Sequence, residues 1–406
     1  MLSSRGMPAQ EVTNDPSAPD CTVEVSVVMP CLNEADTVAT CIGKALRAMR
    51  AHGIAGEVVV ADNGSTDASA RIATESGARV VSVATRGYGS ALMGGIAAAR
   101  GRFIVMGDAD DSYDFGEIPR FVERLREGYD LVQGCRLPAG GGRIMPGAMP
   151  TLHRWIGNPM FSALTRRWFH AVGIRDVYCG LRGFSRAFAQ KLDQRCTGME
   201  FAPEMIIRAT LFGGRVTEVP ITLHPDGRTA HARHLKTFRD GWRTLRIFLL
   251  YSPRRLFVIP GAALVALGLL GYAVALPGLT VGRLTFDAHT LLISSLAILC
   301  GYQALLFALF AKTFAVNEGF LPADRFLERF FRVMDLERGL ALAGVALVAG
   351  VVLLVAAIDV WRRAGFGPLD YAHTMRLVVP GVTLFALGFQ TVVSSFLVSF
   401  LGLARR

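Results

Sequence analysis

The sequence has few charged residues, 19% of 406, and lacks features that define several protein classes. Its seven cysteines include no Cys-x-x-Cys pair, which is evidence against a zinc site or a disulfide framework and predicts reduced, structural thiols. Residues 1–20 are polar and contain no apolar run of the kind that secretory signals have. The sequence therefore predicts an amino-terminal region that stays in the cytoplasm.

Long hydrophobic runs are absent before residue 256 and frequent after it. Four runs, each about long enough to cross a bilayer, lie at Leu256–Leu276, Leu291–Ala311, Gly339–Trp361 and Leu377–Leu403. None carries a charge near its middle, so a transporter or flippase would lack its usual ionisable residue within the membrane. The runs predict a four-helix transmembrane domain over residues 256–406, and very hydrophobic core helices of a soluble domain are the alternative.

Basic residues are unequally divided between the ends of these runs. The proposed cytoplasmic ends carry Arg254, Arg255, Lys312, Arg325, Arg329, Arg332, Arg338, Arg405 and Arg406, against Arg283, Arg362, Arg363 and Arg376 on the other side. Positive residues favour the cytoplasmic side, so both termini are predicted to be cytoplasmic. A basic surface facing anionic lipid headgroups explains the net charge of +10 better than nucleic-acid binding does.

The amino-terminal part repeats a pattern of apolar strand, polar loop and helix. Strands are predicted at Val23–Met29, Val58–Ala61, Val80–Val83, Phe103–Met106 and Asp130–Gly134. The repeat predicts an α/β domain over residues 23–233 with a Rossmann-like, mostly parallel sheet, after a disordered tail at residues 1–22. The loops that follow parallel strands share one edge of the sheet, where such folds bind ligands.

The loop after the fourth strand contains two carboxylates separated by one small residue, Asp108-Ala109-Asp110. Two such oxygens can converge on a hard divalent cation that also takes phosphate oxygens, which predicts a nucleotide-sugar site; a solvated loop is the alternative. In the neighbouring loops, Glu34 and Asp62 are candidates to bind a base or ribose, or to cap the next helices. Arg86 offers a cation for a phosphate, and Gly87 allows close approach of the backbone.

These motifs match, in order and spacing, the family 2 glycosyltransferases. The match rests on Val28–Glu34, Asp62–Asp67, Gly87–Gly101 and the two aspartates, and covers about residues 23–225. More closely, the sequence resembles the polyprenyl-phosphate hexosyltransferases, the group of dolichol-phosphate mannose synthase and bacterial glucosyltransferases. The resemblance implies a GT-A fold, a Mg²⁺ or Mn²⁺ ion, and inversion at the anomeric carbon. Processive synthases have a Gln-x-x-Arg-Trp signature, which is missing here.

The resemblance assigns roles by position. The residues that would line the nucleotide are Pro30, Glu34, Asp62, Arg86 and Gly87. Asp108 and Asp110 would hold the metal and the donor diphosphate, with Asp110 also counted as catalytic. Mannose synthases have a Gln two residues after the second Asp, whereas this sequence has Ser112 preceded by Asp111. The third metal ligand is therefore Ser112, which we favour, Asp111 or water.

The resemblance also implies candidates for the acceptor side, since related enzymes have arginines for the lipid phosphate in the corresponding segments. Arg136 and Arg154 are the candidates to bind an acceptor phosphate, with Asn158 as a helper and Arg182 as a further candidate; surface salt bridges are the alternative. A phosphate monoester, with a second pKa of about 6, is already an oxyanion at neutral pH and needs no general base. A saccharide hydroxyl would need one, and Glu200 is then the candidate, as against a structural or donor-positioning role.

Two segments beside the predicted spans have amphipathic, basic patterns. One covers residues 234–255 and the other lies around 323–336, and each predicts a helix in the bilayer interface or, alternatively, a packing helix. The basic loop before the first, His224–His234, would close over a lipid phosphate or touch headgroups.

The sequence therefore predicts an integral membrane enzyme that transfers glucose or mannose from UDP-glucose or GDP-mannose to undecaprenyl or dolichyl phosphate. Its expected partners are the nucleotide sugar, the polyprenyl phosphate and membrane lipids, not nucleic acid, and homo-oligomer formation is left open. The rivals are a membrane glycosyltransferase acting on a saccharide hydroxyl and a non-catalytic protein of lipid-linked-sugar transport or regulation.

Overall fold

The computed structural model describes residues 23–228 and 237–403. The chain divides into two compact units, of which the first comprises Met1–Trp155, Tyr178–Gly198 and Val216–Arg233. The second comprises Ile156–Val177, Met199–Arg215 and His234–Arg406. The predicted tail at residues 1–22, the end of the basic loop and the first residues of the predicted interface helix lie outside the described residues. The predicted domain boundaries at 233/234 and 255/256 stay predictions.

The first unit is built on a central β-sheet. Within the described residues its strands are β1 (Val25–Cys31), β2 (Gly56–Asp62), β3 (Arg79–Ser82), β4 (Phe103–Met106), β5 (Leu131–Cys135), β6 (Arg143–Ile144), β7 (Arg182–Ser185), β8 (Val216–Pro220) and β9 (Thr222–Leu223). Seven form one sheet in the order β3-β2-β1-β4-β7-β5-β8, while β6 pairs with β9. Strand β7 is antiparallel to both of its neighbours, and the other pairs in the large sheet are parallel. The prediction of a mostly parallel sheet is confirmed.

Hydrophobic burial explains why the central strands form. In β1, Val25, Val27 and Val28 are completely buried, and all four residues of β4 are buried as well. Strands covered on both faces read as continuous apolar runs, as these do, because helices pack on each side of the sheet. The polar residues that end β2 or follow β1 and β4, among them Asp62, Glu34 and Asp108, consequently lie at the carboxyl edge of these parallel strands.

Helices cover this sheet and form the second unit. In the described ranges they are α1 (Val38–Ala51), α2 (Ser69–Glu75), α3 (Tyr88–Ala98), α4 (Ile118–Arg126), α5 (Asn158–Phe169), α6 (Arg186–Leu192), α7 (Phe201–Leu211), α8 (Thr237–Leu250), α9 (Ile259–Ala275), α10 (Ala288–Asn317), α11 (Arg325–Val333), α12 (Leu336–Arg363) and α13 (Tyr371–Leu403). Helices α1 to α4 and α6 belong to the first unit, and the others to the second.

Four helical segments of the second unit are long and apolar enough to cross a membrane. They are Arg254–Ala275, Ala288–Asn317, Leu336–Arg363 and Tyr371–Gly402. Only 11% to 33% of their most apolar stretches is buried inside the protein. Such a large uncovered apolar surface is unfavourable in water and is expected of helices that face lipid. The prediction of four membrane-crossing helices is confirmed.

The helix predicted to lie in the bilayer interface has two different faces. In the described part, α8 exposes 86% of Phe238 and 61% of Trp242. Its Phe248 is completely buried and makes edge-to-face contacts with Phe161 and Phe169 of α5 at ring distances of 5.7 and 5.5 Å. The buried face holds α8 against α5, while the exposed aromatic face is what an interfacial helix presents to lipid. Its location in the interface stays a prediction.

The six described cysteines form no disulfides with one another. Burial raises the pKa of Cys31 to about 11 and that of Cys41 to about 12. Because the thiolate is the reactive form, these two side chains serve packing and not nucleophilic chemistry at neutral pH.

Candidate active site

The aspartate loop follows β4 at the carboxyl edge of the parallel strands. Asp110 accepts hydrogen bonds on Oδ1 from the backbone N–H of Ser112 at 3.0 Å and from its hydroxyl at 2.6 Å. The next residue, Asp111, has a left-handed φ of 60°, and its carboxylate pairs with Lys44 Nζ of α1 at 2.8 Å. Of the three candidates for a third metal ligand, the Asp111 carboxylate is thus held by α1, whereas the Ser112 hydroxyl is held beside Asp110.

Asp108 is enclosed by an aromatic hydroxyl and a glycine. The Tyr88 hydroxyl donates to Asp108 Oδ1 at 2.9 Å. On the other side, a Cβ added to Gly180 would lie 2.9 Å from Asp108 Oδ2, so a side chain there would press on the carboxylate. Burial, followed by the nearby charge of Asp110, raises the pKa of Asp108 to about 7. The two carboxylates repel each other, and a cation between them would relieve that repulsion.

The loops after β1 and β2 are joined by side-chain hydrogen bonds. Asp62 accepts from the backbone N–H groups of Gly64 at 3.3 Å and Ser65 at 3.2 Å, so its carboxylate braces the loop after β2 and does not cap α2, which begins at Ser69. Asn33 has a left-handed φ of 61° and accepts from the Thr66 N–H at 2.8 Å. The two loops therefore form one rigid rim beside the aspartates.

The remaining candidates for the nucleotide lie along the same rim. Pro30 is in β1, in register with Ala61 of β2. Glu34 is 6% exposed at the turn before α1, and its backbone N–H donates to Ser69 Oγ at 2.8 Å. The exposed Arg86 lies over the β2 loop, since a Cβ on Gly64 would be 3.2 Å from its guanidinium.

Gly87 is required by the geometry of the loop before α3. Its φ is 137°, and a Cβ at this position would lie 2.3 Å from the carbonyl oxygen of Thr197. Its N–H donates to Asn63 Oδ1 at 2.8 Å, while the Asn63 amide donates to the Val83 and Thr85 carbonyls at 3.0 and 2.7 Å. Asn63 thereby fixes the loop that carries Arg86 and Gly87, a role that sequence reasoning missed.

Gly87→Ala is expected to destabilise the first unit by about 1–3 kcal/mol, because the new Cβ meets the Thr197 carbonyl and the φ suits only glycine. A lower thermal unfolding midpoint of the purified protein would show it. Gly53→Ala is the matched control: Gly53 also has a positive φ, 63°, but a Cβ there meets nothing within 4 Å. Equal losses in the two variants would contradict a specific role for the Thr197 contact.

Arg228 is a site residue that the sequence did not single out. Its Nη2 lies 2.8 Å from Glu34 Oε1 and 3.0 Å from Asp110 Oδ2, and its Nε donates to Glu34 at 2.9 Å. The preceding segment is anchored to the aspartate loop, since the Gly227 N–H donates to the Asp110 carbonyl at 2.9 Å. The only signal in the sequence was membership in a basic loop, because Arg228 is 118 residues from Asp110 along the chain.

Two of the predicted acceptor arginines lie near the aspartate loop. Arg136 directly follows β5, is 8% exposed and donates to the Tyr113 hydroxyl at 3.4 Å. Its charge lowers the pKa of Asp108, against the larger effect of burial. Arg182 is completely buried in β7, opposite Met106, the last residue of β4. The two arginines therefore bring positive charge to the end of the sheet that carries the carboxylates.

The other candidates lie on helical segments. Arg154 is in a π-helical turn, with its guanidinium 5.2 Å from the Trp155 ring and its Nε buried without a hydrogen bond. Asn158 is buried at the start of α5, and Glu200 is 9% exposed just before α7. Asn158 and Glu200 belong to the second unit, whereas Arg154 belongs to the first. Their assignment to one site with the aspartates stays a prediction.

The helix that follows Glu200 is fixed by a buried polar network in the second unit. The Tyr251 hydroxyl donates to Glu204 Oε1 at 2.8 Å, and Arg208 donates to the Tyr251 oxygen at 3.3 Å and to the Gly319 carbonyl at 2.9 Å. Glu204 and Arg208 are each only 1% exposed. Such a network holds α7 in a single position, which fixes the backbone at Glu200.

The carboxylates fit a hard divalent cation only if a ligand completes the site. In residues 23–228 and 237–403, no group of three or more His, Cys, Asp or Glu side chains is arranged to hold a metal. Asp108 and Asp110 nevertheless offer oxygen donors of the type that Mg²⁺ prefers, and Mg²⁺ usually takes one or two carboxylates together with substrate phosphates. The Arg228 guanidinium, 3.0 Å from Asp110 Oδ2, already balances part of the negative charge there.

The chain thus combines a mostly parallel sheet, which carries carboxylates and arginines at one edge, with four helices that are long and apolar enough to span a membrane. The family model for glycosyl transferase family 2 matches residues 26–192, and the model for the glycosyltransferase family 2 C-terminal transmembrane region matches residues 309–402. The low-salt glycan biosynthesis hexosyltransferase Agl6 of Haloferax volcanii is 38% identical over 94% of this chain and 90% of its own. The chain belongs to glycosyltransferase family 2.

Two further comparisons are more distant. The dolichyl-phosphate hexose transferase of Haloferax volcanii is 31% identical over 49% of this chain and 82% of its own length. The crystal structure of glucosyl-3-phosphoglycerate synthase from Mycobacterium tuberculosis, in complex with Mn²⁺, UDP and glucosyl-3-phosphoglycerate, is 24% identical. The match covers 60% of this chain and 87% of that chain at a TM-score of 0.45.

The family assignment confirms several expectations together. The protein is a glycosyltransferase, and it joins a GT-A domain to a helical membrane region. It is also an integral membrane protein, with four helices suited to span a bilayer.

Proposed function

We propose that this glycosyltransferase moves a hexose from a nucleoside-diphosphate sugar to polyprenyl phosphate, with inversion at the anomeric carbon. The observation that carries the proposal is the aspartate pair after β4 with Arg136 beside it, a site suited to bringing two phosphate-bearing substrates together. The names of the relatives, a hexosyltransferase and a dolichyl-phosphate hexose transferase, support the same reaction. UDP-glucose is our first choice of donor and GDP-mannose the second.

In the donor half of the site, the rim formed by the β1, β2 and β3 loops takes the nucleotide. Pro30, Glu34, Asp62, Arg86 and Gly87 would line it. Asp108 and Asp110, with the Ser112 hydroxyl, would hold Mg²⁺ or Mn²⁺ against the donor diphosphate. When bound, the divalent ion supplies positive charge that stabilises the departing nucleoside diphosphate.

In the acceptor half, Arg136 and Arg154 bind the lipid phosphate, with Asn158 and Arg182 in support. The nucleophile is a phosphate oxygen that is already ionised at neutral pH, so the protein has to overcome repulsion between two anions. Fixed arginines do this by placing positive charge where the phosphates meet. No side chain has to remove a proton from the acceptor.

The proposal puts this chemistry at the level of the lipid headgroups, and features of the membrane part support it. The exposed aromatic face of α8 supports an interfacial helix, with Phe238 and Trp242 in the headgroup region. Helix α11 exposes 66% of Phe326 and buries Leu327, which supports the same role for the second predicted segment. The larger number of basic residues on one side supports a cytoplasmic active site and cytoplasmic termini.

A second candidate function is transfer to a saccharide hydroxyl. It is favoured by Glu200, whose Oε2 is buried without a hydrogen-bond partner, as an unoccupied general base would be. Glu200→Gln distinguishes the two functions. Turnover that survives this change supports a phosphate acceptor, whereas loss of turnover with intact donor binding supports the hydroxyl acceptor.

The direct test is to incubate the purified protein and Mg²⁺ with UDP- and GDP-sugars and with undecaprenyl or dolichyl phosphate. Mass spectrometry of the lipid fraction should show a polyprenyl phosphate heavier by one hexose. Products found only on added oligosaccharide, with the lipid phosphates unchanged, would replace our proposal with the second candidate.

A further inference from the structure

Arg228 is placed where a bound cation would neutralise the aspartate loop. Its guanidinium bridges Glu34 and Asp110 at 2.8 and 3.0 Å, and its side chain is only 13% exposed. The backbone before it is held to the aspartate loop by two hydrogen bonds, from His224 to the Ser112 carbonyl and from Gly227 to the Asp110 carbonyl, both 2.9 Å. The ion pair is thus part of an ordered contact between two segments and not a chance meeting of surface side chains.

This contact occupies the Asp110 carboxylate on both oxygens. Ser112 donates to Oδ1 at 2.6 Å, and Arg228 donates to Oδ2 at 3.0 Å. A divalent cation that binds Asp110 directly must take one of these oxygens. Because the guanidinium and the metal ion are both positive, they repel each other, and binding of one at Oδ2 disfavours the other.

We propose that Arg228 is an internal counter-ion that competes with the divalent cation for Asp110, so that the metal binds well only together with the donor diphosphate. This inference rests on the proposed function, since it takes Asp110 as a metal ligand. The diphosphate resolves the competition because it adds negative charge, which gives the guanidinium a new partner when it leaves the carboxylate. Arg228 then makes metal affinity depend on the nucleotide.

The competition can be measured through the thermodynamic linkage between metal binding and nucleotide binding. If a nucleotide strengthens metal binding by some factor, the metal must strengthen nucleotide binding by the same factor. Removal of the guanidinium should strengthen binding of the metal alone and reduce this factor. A residue that only supported the fold would weaken both kinds of binding or leave both unchanged.

The test measures Mn²⁺ binding to the full-length protein in detergent micelles, from the electron paramagnetic resonance signal of free Mn²⁺, with and without UDP. Arg228→Gln is expected to bind Mn²⁺ alone about tenfold more tightly than the unchanged protein, and to gain less from UDP. Arg228→Lys should show a smaller change, because an ammonium keeps the charge but cannot bridge two carboxylates as a planar guanidinium does.

Arg71→Gln is the control for the loss of one positive charge. Arg71 is an exposed residue of the same unit, and it pairs with Glu75 on its own helix. The Arg71→Gln substitution should leave Mn²⁺ binding unchanged, and thermal unfolding should show that all variants are folded. Should Arg228→Gln misfold, the Lys variant alone decides the question.

Two failures can be told apart. If the unchanged protein binds Mn²⁺ in the presence of UDP and the Arg228 variants do not bind the metal alone more tightly, the competition is refuted while the proposed function stands. If Mn²⁺ does not bind the unchanged protein even with UDP, the metal-dependent reaction itself is refuted.

Discussion

Asp110→Asn is expected to reduce the rate of sugar transfer by about 10²–10³-fold, while the protein still folds. The amide keeps the size of the side chain and can still accept hydrogen bonds from Ser112, but it loses the negative charge that would hold a metal ion and, with it, the donor diphosphate. Initial rates with saturating lipid phosphate, together with the dissociation constant for UDP in Mg²⁺, would measure the loss. We expect weaker UDP binding as well as slower transfer.

Asp111→Asn is the matched control for this prediction. It makes the same chemical change one residue away, at a carboxylate that pairs with Lys44 instead of facing the proposed metal. Asn tolerates the left-handed φ of this position, and loss of a partly exposed ion pair should change the rate by no more than about threefold. An equally large loss in both variants would make Asp111 a ligand. Full activity of Asp110→Asn would instead favour a vestigial domain with a transport or regulatory role.

Much of the sheet was predictable because its buried central strands appear in the sequence as short runs of apolar residues. The predicted strand at Phe103–Met106 coincides with β4, and the one at Val58–Ala61 lies inside β2. Strand β7 was missed because its sequence, Arg182-Gly183-Phe184-Ser185, shows neither an apolar run nor a clear alternation. It forms because its two neighbours, β4 and β5, bind it from both sides, and such long-range pairing cannot be read locally.

The site residues that directly follow a buried strand were predictable from the sequence. Those that come from distant parts of the chain were not. Asp108 and Asp110 were found because a carboxylate pair directly after a buried strand is a local signal. Arg228 was missed because its partner Glu34 is 194 residues away, and no spacing rule covers such a distance. Gly180 gave no signal either, since the need for a glycine comes from Asp108, which it faces only in the folded chain.

The site's chemistry follows from a surplus of negative charge that the fold itself creates. Burial, and after it the charge of Asp110, already raises the pKa of Asp108, and two phosphate-bearing substrates would add further negative charge. The site therefore needs enough positive groups to balance the negative charge of the carboxylates and the substrate phosphates. In the described structure, Arg228 supplies one on Asp110, and Arg136 supplies another near Asp108. Function then depends on which anion each arginine binds as the substrates enter.

Arg136→Ala is accordingly expected to reduce kcat/KM for the lipid phosphate by about 10²-fold or more, because it removes a buried charge that we assign to the acceptor. UDP binding in Mg²⁺ should weaken much less. For Arg136→Lys, kcat/KM for the lipid phosphate should lie between the values of the unchanged protein and Arg136→Ala. An ammonium keeps the charge but not the paired geometry of a guanidinium. Steady-state rates over a range of polyprenyl phosphate concentrations, with calorimetric binding of UDP, separate the acceptor effect from the donor effect.

The control for Arg136→Ala is Arg143→Ala, an exposed arginine on β6 in the same unit, which should leave both quantities nearly unchanged. Each variant removes one positive charge and one long side chain. A difference between them therefore reports the location of Arg136 and not the general loss of charge. If Arg136→Ala weakens UDP binding as much as it lowers kcat/KM for the lipid, the guanidinium serves the donor diphosphate and the acceptor phosphate must be bound elsewhere. If only the lipid parameters fall, the charge beside Asp108 is what allows a second phosphate to approach the first.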